Sequence, residues 1–298
     1  MLFKVISGLI ILVALVIAAG FLTHYYLLRK APVADLPGLG PKPSATVKRP
    51  IPAPQYEVYP GEEVPEPLPQ KPPVFDRPKV AIIVDDLGYD RKIARQLMAL
   101  DASLTFSILP HSPHNQAIAT DAHKNGVEIM LHLPMEPIEY PSVDPGPGAL
   151  LANMRPDELI RQLESNLADI PYAKGVNNHM GSRLTGESNQ IYQVFTILKK
   201  RNLYFIDSRS TAKTLCRPSA RLFQIPFAER DVFIDHEYNP EFIRKQLNKL
   251  VKIARHRGQA IGIAHPSRTT YNVLLQMLPE LKKQVRLVPA SELVRIIS

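Results

Sequence analysis

Lys79-Val80-Ala81-Ile82-Ile83-Val84-Asp85-Asp86-Leu87-Gly88 is the stretch on which the fold turns. An apolar, largely β-branched run ends abruptly in two adjacent carboxylates and a glycine. Because apolar and polar residues do not alternate, the run reads as a strand buried on both faces. Side chains alternate along a strand, so Asp85 and Asp86 are expected to leave it on opposite sides. Two neighbouring carboxylates repel unless they share a cation or a proton, or both reach water. The pair is therefore a candidate metal or acid–base site; the alternative is a loop that opens a helix through an N-cap.

Downstream, short apolar runs alternate with helical patterns. Strands are expected at 104–109, 127–131, 175–178, 203–206, 232–234, 260–264 and 285–288. Helices are expected at 91–100, 115–124, 155–170, 188–201, 240–257 and 272–282, with a short last one at 291–297. Asn125-Gly126 and Gly258 supply C-terminal stops, and Pro156 with Asp157 and Glu158 supplies a helix start. Alternating βα units imply a parallel sheet with helical crossovers. The expected architecture is α/β, a distorted (β/α)7-8 barrel of the TIM type, with a doubly wound open sheet as the alternative. Polar strand ends favour the barrel, whose sites are built from many C-terminal strand ends. Here those ends carry Asp85, Asp86, His111, His132, His179, Asp207, Asp235, His236 and His265.

The barrel is expected over 79–298. Upstream, residues 5–23 hold no charge and are long enough to span a bilayer, with Lys4 before them and Tyr25, Tyr26, Arg29 and Lys30 after. Residues 1–30 read as a transmembrane anchor, or as a signal peptide cleaved near Ala18 or Ala19. Residues 31–78 contain 14 of the 29 prolines and no apolar periodicity, as expected of an extended, disordered linker. The soluble domain would then lie in the cell envelope, periplasmic or extracytoplasmic, held to the inner membrane or released to the periplasm. A formal net charge of +8 comes without Lys/Arg blocks or interleaved aromatics, so nucleic acid is not an expected partner. The single cysteine, Cys216, rules out an intramolecular disulfide.

Imidazoles and carboxylates gathered at strand ends are ligands for a divalent metal such as zinc. Such a metal activates water, while a separate carboxylate serves as base and a separate histidine protonates the leaving group. Asp85, Asp86, His132 and His265 suit those roles. His179 has a turn-shaping role as its alternative, and Glu136, four residues after His132, reads as a further ligand or a solvated acid. His111 and His114 flank Pro113 and read as structural; His123 and His256 read as solvent-facing on helices.

Five segments, taken in order, resemble the polysaccharide deacetylases of NodB-homology type, the carbohydrate esterase 4-like superfamily. They are Ile82–Gly88, His132-Leu-Pro-Met-Glu-Pro137, Asn177-Asn-His-Met-Gly-Ser182, Phe205-Ile-Asp-Ser208 and Ile261-Gly-Ile-Ala-His265. The closer likeness is to the divergent polysaccharide deacetylase family, the YibQ-like proteins, over about 78–298. The resemblance implies a distorted barrel, Asp85 as catalytic base, Asp86 and His132 as metal ligands and His265 as general acid. Where the main family has His-x-x-x-His, this chain has His132-Leu-Pro-Met-Glu136, so either Glu136 or His179 completes an altered metal site or metal binding is weakened. The segment Asn178–Arg183 stands roughly where the family carries an arginine beside proline, with no residue matching cleanly; Asn178, Asp207 and Arg183 are assigned to substrate contact. The implied activity is a metal-dependent hydrolase that deacetylates an N-acetylated envelope polysaccharide, a peptidoglycan- or chitin-like glycan. The alternative is a catalytically altered barrel that binds glycan or protein in the envelope.

Overall fold

Residues 77–297 are described by the computed structural model; the expected anchor over 1–30, and the expected linker over 31–78 apart from its last two residues, lie outside them. In chain order the first elements are β1 Lys79–Leu87, α1 Arg91–Met98, β2 Leu104–Ile108, α2 Asn115–Lys124, β3 Glu128–Met135 and α3 Pro156–Asp169. β4 Gly175–Met180, α4 Ser188–Lys200, β5 Tyr204–Asp207, α5 Cys216–Phe223 and β6 Phe227–Glu229 follow. β7 Val232–Phe233, α6 Pro240–Arg257, β8 Gln259–Ala264, α7 Arg268–Gln284 and β9 Arg286–Leu287 complete the series. Among the described residues no helix is long and apolar enough to cross a membrane.

β1 is buried along its whole length after Lys79, as its unbroken apolar run requires. The sheet runs β6-β5-β4-β3-β2-β1-β8-β7, with β9 against the start of β1. All its ladders are parallel. β6 and β7 stand at opposite ends of that order yet are separated by two residues in the chain. The Arg230 N–H donates to Asp207 O at 3.0 Å and the Asp231 N–H to Ile261 O at 2.8 Å. One extended segment thus leaves the β5 edge and joins the β8 edge. The sheet is a curled, open parallel barrel whose two edges are linked by chain rather than by a ladder.

Strand parity sorts the core into two clusters. Val80, Ile82 and Val84 of β1, Ile129, Leu131 and Leu133 of β3, and Phe205 of β5 pack outward with helix residues such as Leu163, Phe195, Leu247 and Leu274. Ala81, Ile83, Met130, Tyr204, Ile206, Ile261 and Ile263 point inward and pack with Val288, Ala290 and Leu293. Helices cover one face of the sheet only, which answers the doubly wound alternative. Full burial of each large aliphatic side chain contributes roughly 1.5–3 kcal/mol.

Helix ends follow local chemistry. Asp90 accepts the N–H groups of Lys92 and Ile93 and starts α1; Asn239 does the same for α6 ahead of Pro240. Ser267 caps α7, so that helix begins four residues before its expected start. Two expectations are corrected. The segment 209–231, for which no element is expected, contains α5 and β6. The helix expected at 291–297 is only a 3₁₀ turn at Ala290–Glu292. The chain beyond it pairs with β6 instead, Phe227 N–H donating to Arg295 O at 2.9 Å and Arg295 N–H to Phe227 O at 3.2 Å. On the barrel floor Ala290 N–H donates to Thr105 Oγ1 at 2.9 Å and Ser291 N–H to Glu128 Oε1 at 3.0 Å.

Glu128 Oε1 also accepts from the Tyr204 hydroxyl at 3.0 Å and Thr105 Oγ1 at 3.3 Å. The Tyr204 ring fills the space a side chain at Gly175 would need, since a Cβ there would lie 2.2 Å from it. Glu128→Ala leaves the buried Tyr204 hydroxyl and the Ser291 N–H without acceptors. A loss of about 1–3 kcal/mol is expected in urea unfolding; an unchanged midpoint would show that this floor network holds nothing in place.

Candidate metal centre

Inward parity carries polar groups to the C-terminal mouth of the sheet. Ala81 and Ile83 lead to Asp85, Met130 leads to His132, Asn177 leads to His179, and Ile261 and Ile263 lead to His265. Asp86 should leave on the outer face by the same count, and it does not. The β1–β2 register shifts between Val84 and Leu87, and Asp86 has φ 53°, in the left-handed region. This bulge returns the second carboxylate to the side of the first, so both line one cleft. Gly88 follows at φ 137°, where a Cβ would strike Ser112 Oγ at 1.9 Å. The expectation that the two aspartates part to opposite faces is corrected by this local geometry.

The cleft, about 380 Å³, is lined by Asp85, Asp86, His132, Asn178, His179, Met180, Ser208, Arg230, Phe233, Ile263 and His265. Within it Asp86, His132 and His179 gather in a buried cluster suited to a metal ion. His132 Nε2 stands 3.0 Å and His179 Nδ1 2.9 Å from Asp86 Oδ1, and the two nitrogens are 3.1 Å apart. Ligand atoms around a tetrahedral zinc lie about 3.3 Å from one another, so the spacing is slightly tighter than a loaded site. Both Asp86 oxygens are buried without a hydrogen-bond partner. The ring nitrogens are close but do not aim an N–H at them. Burial opposes ionisation of Asp86, but His179 and His132 together hold its carboxyl well below the usual range. A buried, ionised carboxylate with no donor aimed at it is costly unless a cation meets it. The residues fit a divalent metal.

Asp85 and His265 flank the cluster. Asp85 Oδ2 is 3.7 Å from His132 Nε2, and both Asp85 oxygens accept from Asn177 Nδ2, at 2.8 and 3.0 Å. Burial pushes the Asp85 carboxyl up, beyond the opposing pull of His132 and His265. His265 Nε2 lies 3.6 Å from Asp86 Oδ2, while its Nδ1 lies 2.9 Å from Asp235 Oδ1. Asp235 Oδ2 accepts the His265 N–H at 2.7 Å and the Thr270 hydroxyl at 2.6 Å. Burial lowers the His265 pKa, but Asp235 in charge and hydrogen bond, then Asp86 and Asp85, raise it to about 9.

Other assigned residues stand apart from the cluster. Glu136, expected as a ligand, is buried with Oε1 2.6 Å from Arg183 Nη1 and Oε2 accepting the Ala152 N–H at 2.6 Å. Its carboxylate is thus engaged away from the metal ligands, and His179 is the residue that joins Asp86 and His132. Arg183, assigned to substrate contact, is that ion-pair partner. Asp207 is fully buried and accepts the Arg209 N–H at 2.7 Å and the Thr214 hydroxyl at 2.8 Å, so it folds the turn after β5. Asn178 lines the cleft, but its amide donates to Met180 O at 2.7 Å and accepts the Ser208 N–H at 2.9 Å. Within 132–150 and 207–221 the lining residues are His132, on β3, and Ser208. Sequence reasoning gave no role to Asn177, Asp235, Arg230 or Phe233. Asp235 ends an apolar run beside His236, and inward parity of Asn177 with His179 was the available signal for the other.

A family profile for divergent polysaccharide deacetylases matches residues 82–294, a span that holds every residue of the centre. The uncharacterized protein YibQ of Escherichia coli K12 is 37% identical over 215 residues, 72% of this chain and 67% of YibQ. An uncharacterized protein of Haemophilus influenzae Rd is 28% identical over 221 residues, 74% of this chain and 78% of its own length. The crystal structure of an uncharacterized protein from Agrobacterium tumefaciens C58 aligns with a TM-score of 0.70 at 31% identity, covering 73% of this chain and 89% of that one. With 213 consecutive positions inside the profile, the chain belongs to the divergent polysaccharide deacetylase family.

Proposed function

We propose that this chain is a metal-dependent hydrolase that removes acetyl groups from an N-acetylated envelope polysaccharide, on a distorted (β/α) barrel. The observation that carries the reading is the convergence of Asp86, His132 and His179 around buried carboxylate oxygens that no donor satisfies, with Asp85 and His265 beside them. Family membership supports a glycan as the substrate class. Asp86, His132 and His179 would hold the metal, with zinc the first choice for this nitrogen and oxygen set. When bound, it supplies Lewis acidity for the acetyl carbonyl and for water.

The chain's own residues supply the proton movements. Asp85 takes the proton of the attacking water; burial has made this carboxyl more basic than a surface aspartate. His265, protonated through the neutral range, gives its Nε2 proton to the departing amide nitrogen, which leaves as an amine. Asp235 fixes the ring so that Nε2 faces the cleft. Met180, Phe233 and Ile263 give the cleft an apolar side that excludes water from around the acetyl methyl. The same reading locates the domain in the periplasm or on the extracytoplasmic side of the inner membrane, tethered through residues 1–78.

Acetate release from chitin- and peptidoglycan-type oligomers tests this. Release that requires added zinc, stops with a chelator and falls at least a hundredfold in Asp85→Asn is the expected result. Oligomer binding without acetate release under any metal would overturn the hydrolase and favour a glycan-binding protein on the same scaffold. For ligand assignment, His179→Ala should lose stoichiometric zinc, while Glu136→Gln should keep it and instead lower the unfolding midpoint. Retention of zinc by His179→Ala would remove that residue from the site.

Protonation of His265 has its own signature. Its folded pKa, about 9, exceeds the ordinary 6.5, so its stabilisation is complete below pH 6.5 and is lost as pH rises through about 9. An NMR titration of the metal-free chain should place the His265 midpoint near 9. In Asp235→Asn the midpoint should move towards neutrality. A midpoint unmoved by that change would show that Asp235 does not hold the charge.

A further inference from the structure

Asn177 is fully buried and sits opposite His132 in the β3–β4 ladder. Parity turns both side chains inward, beneath the metal cluster. The amide touches four strands' worth of partners. Its Oδ1 lies 2.5 Å from Ser107 Oγ on β2 and 2.9 Å from His132 Nδ1 on β3. Its Nδ2 lies 2.8 and 3.0 Å from the two oxygens of Asp85 on β1, and 3.3 Å from Ser208 Oγ beyond β5.

Only one orientation of this amide is compatible with its neighbours. An ionised carboxylate accepts and cannot donate, so the NH2 group must face Asp85. The carbonyl oxygen then faces Ser107 and His132, and a hydrogen bond to His132 requires the proton to reside on Nδ1. With Nδ1 protonated, the lone pair of a neutral His132 is on Nε2, the atom that stands 3.0 Å from Asp86 and 3.1 Å from His179. A metal-ligating histidine is commonly oriented by a partner on its other ring nitrogen. Here the same partner also holds the carboxylate next to the ring.

We propose that Asn177 is the positioning residue of this centre, fixing His132 as the Nδ1–H ring with Nε2 free for metal while holding the Asp85 carboxylate in line with it. The inference rests on the assignment of His132 as ligand and Asp85 as base. It adds that ligand and base are aligned by one neutral amide. A shift of Asn177 would disturb both together, whereas loss of Asp235 would leave both in place.

The test uses the full chain labelled with 15N-histidine, its His132 ring signals identified by their loss in His132→Gln. The parent should show a hydrogen-bonded, slowly exchanging Nδ1–H before and after zinc addition. Asn177→Asp keeps an acceptor for that proton but sets a charge against Asp85. It should retain the Nδ1–H signal and a zinc affinity near the parent's, with acetate release lost. Asn177→Leu removes both contacts at similar volume, and should lose the signal and about 10–100-fold in zinc affinity, read by chelator competition. A parent ring protonated on Nε2 alone, or Asn177→Leu with the parent's spectrum and affinity, would overturn the proposal. If Asn177→Leu does not fold, the parent spectrum and Asn177→Asp still decide. A parent that shows the Nδ1–H but takes up no zinc overturns the proposal through the metal reading on which it rests, whereas zinc uptake by a parent without the Nδ1–H overturns the positioning role alone.

Discussion

A carboxylate that is buried, ionised and approached by no N–H is the constraint around which this domain is arranged. Asp86 occupies that position because β1 bulges at its C-terminal end and the backbone turns left-handed at Asp86 itself. Without the bulge, Asp85 and Asp86 would face opposite sides of the sheet, one into the mouth and one towards the helices. With it, two negative groups share one cleft with three imidazoles. The electrostatics follow from that crowding: the carboxyl next to two rings is held down, and the one held by an amide is pushed up by burial. Adjacent residues of one strand are thereby suited to different tasks, the first to proton transfer and the second to ligation.

The candidate ligand set draws on three strands. β1 gives Asp86, β3 gives His132 and β4 gives His179. Glu136, four residues after His132, has a structural task. Its ion pair with Arg183, its Ala152 contact and its backbone carbonyl, which accepts the Arg183 and Leu184 N–H groups, join the end of β3 to the turn after β4. That turn begins at Met180 and Gly181, both at positive φ, immediately after His179. Glu136 therefore braces the segment that carries His179.

Much of the site was legible in the sequence because strand parity is a rigid rule. Once Ala81 and Ile83 are placed inward, Asp85 follows; the same holds for Met130 and His132, and for Ile263 and His265. Element types were legible for the same reason, with α2 and α6 found at their expected bounds. What was not legible depends on departures from regular backbone or on partners distant in sequence. The bulge at Asp86 has no signature in a run of valines and isoleucines. Glu136 reads equally well as ligand or solvated acid until Arg183, 47 positions on, is seen to reach it. Asp207 ends a strand and is assigned to substrate contact, yet its oxygens are taken by the turn after β5; Asn178 does line the cleft, but its oxygen accepts the Ser208 N–H. The segment holding α5 is short and contains Pro218, so its helical period is hard to detect. The 3₁₀ turn at Ala290 does not continue into a helix because Arg295 pairs with Phe227 in an antiparallel bridge, distant in sequence.

The most direct test of the account is an anomalous-difference map at the zinc edge from crystals of the zinc-loaded protein. The account predicts a single strong peak bonded to Asp86, to Nε2 of His132 and to Nδ1 of His179, with Glu136 still paired to Arg183. A peak coordinated by Glu136, or no peak in the cleft after loading, would contradict it.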